Sequence, residues 1–345
     1  MEADTKDLLE QCISPILLVA DGTVTDMNQA AASRQFQVGV NISDLICQGG
    51  EEYAQLTDGK LCLTIQAEGI IYPACVAKTE QYDIFRLDSE YEDPALRAFA
   101  IAAKQLRQPL ANALISAQEL SESTEEIQQL NRSLYQLHRA VCNMSDVAKY
   151  SAQRNSQMEN RDIAALIFEI TQKAATALSS TDIAVNYDQP KKAIIGPVDA
   201  EKLERAVLNL ISNAAKFTPK NNCITVSLAQ KSNKLYLSVL SHGTQIPQQV
   251  QGNLFARYLR EPELEDGRWG IGLGLTMVRN AAIAHNGTLL LENTPDGQKF
   301  TMSLSLANPS KDIVRSPVLL PVDYTGGYDR VLVELSDVLP ADLYK

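Results

Sequence analysis

The sequence predicts a multidomain α+β protein: a strand-rich α/β module, then a helical hairpin that pairs with a second copy into a four-helix bundle, then an α/β sandwich. Three observations carry this expectation. The chain has 345 residues, more than one hydrophobic core organises, since single cores stop growing at about 250–300 residues. Apolar residues recur at alternating spacings of three and four from residue 96 to residue 148, the seam of packed helices. Beyond residue 159 the apolar pattern switches between helical and strand periods. The expected units are residues 1–90, 91–158 and 159–307, with a tail over 308–345.

In the first unit Ile13 to Ala20 is apolar, Asp21-Gly22 supplies a hairpin turn, and Thr23 to Asn28 returns. Leu61 to Ala67, Ile70 to Lys78 and Tyr82 to Leu87 read as three consecutive antiparallel strands. The run "ISPILLVADGTVTDMNQAA" followed by those strands resembles a PAS-type sensor domain. No histidine placed for haem and no flavin-adduct cysteine motif accompanies it, so its ligand is left open, and a packing and dimerising module without cofactor is the plainer expectation.

The helical seam comprises Leu96, Phe99, Ala103, Leu106, Leu110, Ala113, Ala117 and Leu120, with Asp93 as a cap and Pro94 in the first turn. A second seam runs through Ile127, Leu130, Leu134, Leu137, Val141, Met144 and Ala148. Two such helices leave an apolar stripe that a second copy would bury, which predicts a homodimer.

In the third unit helices are expected over Ile163 to Leu178, Asp199 to Phe217 and Leu275 to His285. Strands are expected near Ile183 to Tyr187, Ile224 to Ala229, Leu235 to Leu240, Thr288 to Glu292 and Phe300 to Leu306. The tail holds one strand-like run, Arg330 to Leu335, to which the sequence assigns no role.

Charge and composition exclude several functions. A net charge of −11 argues against a nucleic-acid footprint, which needs clustered cations. No apolar run approaches the roughly 20 residues that span a bilayer. The acidic start lacks the features of a secretory signal, which points to the cytoplasm. Cys12, Cys47, Cys62, Cys75, Cys142 and Cys223 form no C-x-x-C pair and read as core residues.

Two motifs carry chemistry. "NLISNAAKFTP" places Asn209, Asn213 and Lys216 at i, i+4 and i+7 on one helix face, where an amide oxygen suits Mg²⁺ and an ammonium suits phosphate. "GIGLGL" (Gly270 to Leu275) opens a helix whose first N–H groups can approach phosphate oxygens. In that order and spacing, with "LFARYLR" between them, these runs resemble the N box, F box and second glycine box of the histidine kinase ATPase domain, a fold shared with gyrase B and Hsp90. The resemblance covers residues from about 94 to 307. It implies ATP and Mg²⁺ as ligands, Asn213 on the metal, Asn209 at the acid/base position, Lys216 on phosphate, Gly270, Gly272 and Gly274 at the lid hinge, and Leu273 among the nucleotide-binding residues. Ser241, Gly243 and Ile246 would line the nucleotide pocket.

The chain departs from the family at decisive places. In "AKQLRQPL" Lys104 stands where the family has its phosphoacceptor histidine, and a lysine ammonium offers no neutral ring nitrogen for phosphoryl transfer. Gln105 replaces the neighbouring acid. The first glycine box, Asp-x-Gly-x-Gly-Ile-Pro in the family, reads Ser241-His242-Gly243-Thr244-Gln245-Ile246-Pro247, and exchanging a carboxylate acceptor for a hydroxyl costs about 1–2 kcal/mol of adenine binding. His242, at a family asparagine position, could approach adenine. His138 and His285 read as packing or capping residues.

The leading expectation is therefore a signalling pseudokinase that binds a response regulator or another histidine kinase. The alternatives are a response-regulator phosphatase in which Gln105 and Gln108, three apart on one helix face, position water, a kinase that binds ATP with residual activity, and an ATPase of the wider fold. Asn209 argues against that last reading, because an amide is no general base.

Overall fold

The structure, a computed structural model, describes residues 9, 12, 14–88, 94–119, 124–152, 157–188, 190, 192–243, 245, 273–307 and 325–344. Strands β1 (Ile16–Ala20) and β2 (Thr23–Met27) form the expected hairpin. Its turn is made by Asp21 (φ 51°) and Gly22 (φ 73°), the two left-handed residues that a tight hairpin requires. Helices α1 (Gln29–Ala32), α2 (Ile42–Leu45) and α3 (Gly50–Gln55) and the short strand β3 (Ile46–Gln48) follow. The side chain of Asn28 ties the entry together, accepting from the Ile16 and Ala31 amides and donating to the carbonyls of Leu9, Cys12 and Ser14. Strands β4 (Lys60–Ala67), β5 (Ile70–Lys78) and β6 (Asp83–Leu87) are the three antiparallel strands read from the sequence. Alternate residues such as Leu61, Leu63, Ile65, Val76 and Phe85 make this unit's core.

Helices α4 (Pro94–Gln118) and α5 (Glu125–Ala152) pack side by side, α4 running through Pro109. The contact is made by Ala103, Leu110, Leu114 and Ala117 against Leu134 and Val141. This corrects the expected seam: Leu114 replaces Ala113, which is exposed, while Leu106, Leu130 and Leu137 also face outward. An a/d repeat places its apolar residues along one seam but does not say which neighbour each of them meets, and only part of this seam meets the hairpin's own partner. Asp93 and Leu120 lie outside the described residues.

The third unit contains β7 (Glu159–Asp162), α6 (Ile163–Leu178), β8 (Ile183–Asp188), β9 (Ile195–Val198), α7 (Ala200–Phe217), β10 (Asn222–Lys231), β11 (Lys234–Ser241), α8 (Gly274–Ala284), β12 (Leu289–Thr294) and β13 (Gly297–Ser305). Its sheet runs β12-β13-β11-β10-β8, antiparallel except for β8 beside β10. Ile224, Val226, Leu235, Leu237, Phe300 and Met302 meet Ile167, Val207, Ile211 and Val278 of the three helices in one core. Sequence reasoning missed the small pair β7–β9, whose residues Glu159–Asp162 carry no apolar alternation.

The expected separation of the first and third units does not extend to their sheets. Strand β12 pairs antiparallel with β4 through Leu289↔Cys62, Leu290↔Leu61 and Leu291↔Lys60, making one eleven-stranded sheet. Gly59, at φ +99°, permits the join, because a Cβ there would stand 2.3 Å from the Leu291 carbonyl oxygen. Across the same seam Arg279 of α8 pairs with Asp88, and Lys234 pairs with Glu52 at 2.8 Å. Cys62 and Cys75 sit opposite each other in β4 and β5 with their sulfurs 2.9 Å apart. Cys12 and Cys47 are exposed, against the expectation of six core thiols.

The run Arg330 to Leu335 is not a strand but the short helix α9 (Arg330–Glu334). Its alternating β-branched residues suggested a strand, yet the Asp329 side chain accepts from the amides of Val331 and Leu332 and nucleates a helical turn. Among the described residues no helix is long and apolar enough to cross a membrane.

Candidate nucleotide site

Helix α7 starts cleanly because the Asp199 carboxylate accepts from the Lys202 amide. The neighbouring His285, which ends α8, accepts from the Asp199 N–H at Nε2 (3.0 Å) while its Nδ1 lies 2.7 Å from the Ala281 carbonyl oxygen. That geometry fixes the neutral tautomer with Nδ1 donating. Burial holds its pKa below the ordinary histidine value, outweighing the pull of the Ala281 carbonyl and of Asp199. Its role is the packing and capping expected of it. Because the folded pKa is depressed, the unfolded chain binds more protons, so this contribution is present above about pH 6.5 and declines as pH falls below it. Urea unfolding at pH 7.5 and 5.5 is expected to give lower stability at the acidic value, with a smaller difference in His285→Gln; an equal difference in the variant would contradict this.

The apolar face of α7 is buried in the core, and the polar face holds Arg205, Asn209, Asn213 and Lys216. Gly274, at the start of α8, is brought against this face: a Cβ there would lie 2.8 Å from Asn209 Oδ1. The Gly274 end of that motif thus adjoins Asn209 in space. Asn209 is fully engaged. Its Oδ1 accepts from Arg139 of α5 (3.1 Å), and its Nδ2 donates to the Arg205 carbonyl (2.9 Å) and to Glu334 Oε2 (3.1 Å). Lys216 Nζ donates to Asp337 at 2.7 Å. Asn213 Nδ2, between them, is buried without a hydrogen-bond partner.

This residue set suits Mg-nucleotide in composition: the side-chain oxygen of Asn213 for a metal that takes few protein oxygens, and the cations of Lys216 and Arg205 for phosphate. Among the described residues no cluster of three His, Cys, Asp or Glu could hold a metal by itself. Leu273 is buried immediately ahead of α8. Ile246, Gly270, Gly272 and the run Leu254 to Arg260 lie outside the described residues.

Of the first glycine box, Ser241 is buried and Gln245 exposed. Ser241 Oγ lies 2.9 Å from Thr218 Oγ1 and donates to the Ala214 carbonyl (3.3 Å), which fastens the end of β11 to the end of α7. Gly243 is required there, since a Cβ would be 2.0 Å from the Phe217 carbonyl oxygen. His242 bonds Thr225 (3.0 Å), and Gln245 donates to the Thr294 carbonyl (2.9 Å). Lys104 and Gln105 are exposed on α4, and Gln108, exposed one turn on, donates to Asn112.

Sequence reasoning missed Arg139, Arg205, Glu334 and Asp337. Arg205 carried a signal, standing four residues before Asn209 on the same face. Glu334 carried another, as a lone acid within an apolar run. The pairing of α5 with the C-terminal segment left no local trace.

Residues 198–308 match the family model described as "Histidine kinase-, DNA gyrase B-, and HSP90-like ATPase". The chain is 28% identical over 233 residues to the adaptive-response sensory kinase SasA of Gloeothece citriformis, covering 61% of this chain and 59% of that protein. It is 30% identical over 224 residues to the sensor histidine kinase TmoS of Ectopseudomonas mendocina, covering 61% of this chain and 23% of that protein. It thus spans less than two thirds of the length of these relatives. Among solved structures, full-length ShkA in complex with AMPPNP aligns with a TM-score of 0.50 at 20% identity, over 61% of this chain and 46% of that one.

Proposed function

This chain is of the histidine kinase type, with its ATPase domain at residues 198–308, and from that premise we propose that it is a two-component signalling protein that does not phosphorylate itself. One observation carries the proposal: Lys104 projects from the exposed side of α4, five residues before Pro109, where the resemblance puts the phosphoacceptor. An ammonium there has no lone pair to attack a γ-phosphate. The N-terminal strands would serve as a PAS-like input module. The pairing of β4 with β12 would connect such an input directly to the ATPase domain. The exposed Leu106, Leu130 and Leu137 support a homodimeric four-helix bundle, and a response regulator or another histidine kinase is the partner such a bundle would serve.

Incubation of the full chain with labelled Mg-ATP is expected to leave no acid-labile label, and such label on any residue would overturn the proposal. A second reading, response-regulator phosphatase, is favoured by the exposure of Gln105 and Gln108 on one turn of α4. It predicts that dephosphorylation of a phosphorylated regulator is lost in Gln108→Ala, and it fails if the unaltered chain has no such activity.

A further inference from the structure

We propose that residues 325–344 are an intramolecular occupant of the phosphate face of the ATPase domain, so that Mg-nucleotide enters only when this segment lets go. The inference rests on reading the Asn209, Asn213 and Lys216 face as a nucleotide site, and goes beyond it by naming what holds that face.

The contacts select the motif residues. Glu334, with no exposed surface, accepts from Arg205 Nε at 3.2 Å, Arg139 Nε at 3.1 Å and Asn209 Nδ2 at 3.1 Å. Three residues on, Asp337 accepts from both Lys216 Nζ and Arg139 at 2.7 Å. Burial works against the charge of Asp337, but Arg139 and Lys216 hold its pKa below the ordinary carboxylate value. A carboxylate and a phosphoryl group compete for the same charged donors, so each of these bonds withdraws a group that nucleotide would need. Asn213 is passed over, its Nδ2 left without a partner in the middle of the covered face.

The rest of the segment is built to dock. Leu335 and Leu339 have no exposed surface and, with Val331, join the ATPase core. Arg132 and Gln136 of α5 donate to the Ser336 carbonyl, and Arg132 also to that of Asp337. The Tyr135 ring lies edge-on to Tyr328 and Tyr344, and His138 bonds the Thr325 carbonyl at 2.8 Å. The segment therefore wedges between α5 of the hairpin and α7 of the ATPase domain. Its release would free both at once, coupling nucleotide occupancy to the position of the hairpin. Such coupling needs only that nucleotide prefer the released state. Apparent affinity is then reduced by the fraction of molecules in that state.

The test is calorimetric titration of the full chain with Mg-ATP, alongside hydrogen exchange of residues 325–344. The charge-reversed Glu334→Lys/Asp337→Lys, which sets cations against Arg139, Arg205 and Lys216, is compared with the milder Asp337→Lys. The unaltered chain is expected to keep the segment protected and bind weakly. A variant with the segment released is expected to bind on the order of tenfold tighter or more, and adding Asn213→Ala is expected to abolish that gain. If the unaltered chain already binds as tightly as the released variant, the segment does not occupy the site and the proposal is overturned while the nucleotide reading stands. If exchange reports release and no form binds Mg-ATP, the nucleotide reading falls and this proposal with it.

Discussion

Arg279→Ala is expected to cost about 3–5 kcal/mol of stability, because it leaves the Asp88 carboxylate without its guanidinium at a buried junction. Arg279 side-chain exposure is 2% and that of Asp88 is 14%. The guanidinium reaches from α8 of the ATPase domain to the residue that follows β6, and it also lies 4.0 Å from the Cys75 sulfur. Its loss should loosen the pairing of β12 with β4, where only three residue pairs are in register. Denaturant unfolding is expected to show a lower midpoint and faster amide exchange at Leu289 to Leu291. The double variant Asp88→Asn/Arg279→Met should recover much of the loss, since a buried pair replaced by apolar and neutral groups of similar volume is often close to neutral. A loss below about 1 kcal/mol in the single variant, the range of an exposed pair, would mean that this ion pair does not hold the junction.

Glu334→Ala has a comparable expected effect by a different route. It removes the acceptor shared by Arg139, Arg205 and Asn209, and breaking a buried pair on one side costs about 3–5 kcal/mol. Arg205 retains Asp146 and Asn143, and Arg139 retains Asp337. The loss is capped by the docking free energy of residues 325–344, because that segment can leave and let water reach the cations. The expected result is accelerated cleavage within 325–344 by limited proteolysis together with a lower denaturation midpoint, since Leu335 and Leu339 share the core of Ile167, Val207 and Val226. Unchanged cleavage and an unchanged denaturation midpoint would show that Glu334 does not secure the segment.

The comparison of sequence with structure turns on the range of each interaction. Helix α6 and strands β10 and β11 were legible within a few residues, because hydrophobic period, caps and turn residues act over one or two turns of chain. The stretch Arg330 to Leu335 was misread because its alternation is a strand signal, whereas its neighbour Asp329 and its burial against α5 and α7 decide for a helix. In the hairpin the repeat was legible, but the division between residues meeting the partner helix and residues left outside was not.

By itself the sequence determined most of the helices and strands of the ATPase-like unit and the common face of Asn209, Asn213 and Lys216, since each is written in residue identity and short-range spacing. Only the tertiary structure decided that β4 and β12 close into one sheet and that Glu334 and Asp337 reach Asn209 and Lys216 across 125 and 121 residues. The physical reason is that backbone pairing at a strand edge and charge pairing in a buried cleft depend on which surfaces meet in space, and distant partners impose no period on the residues between them.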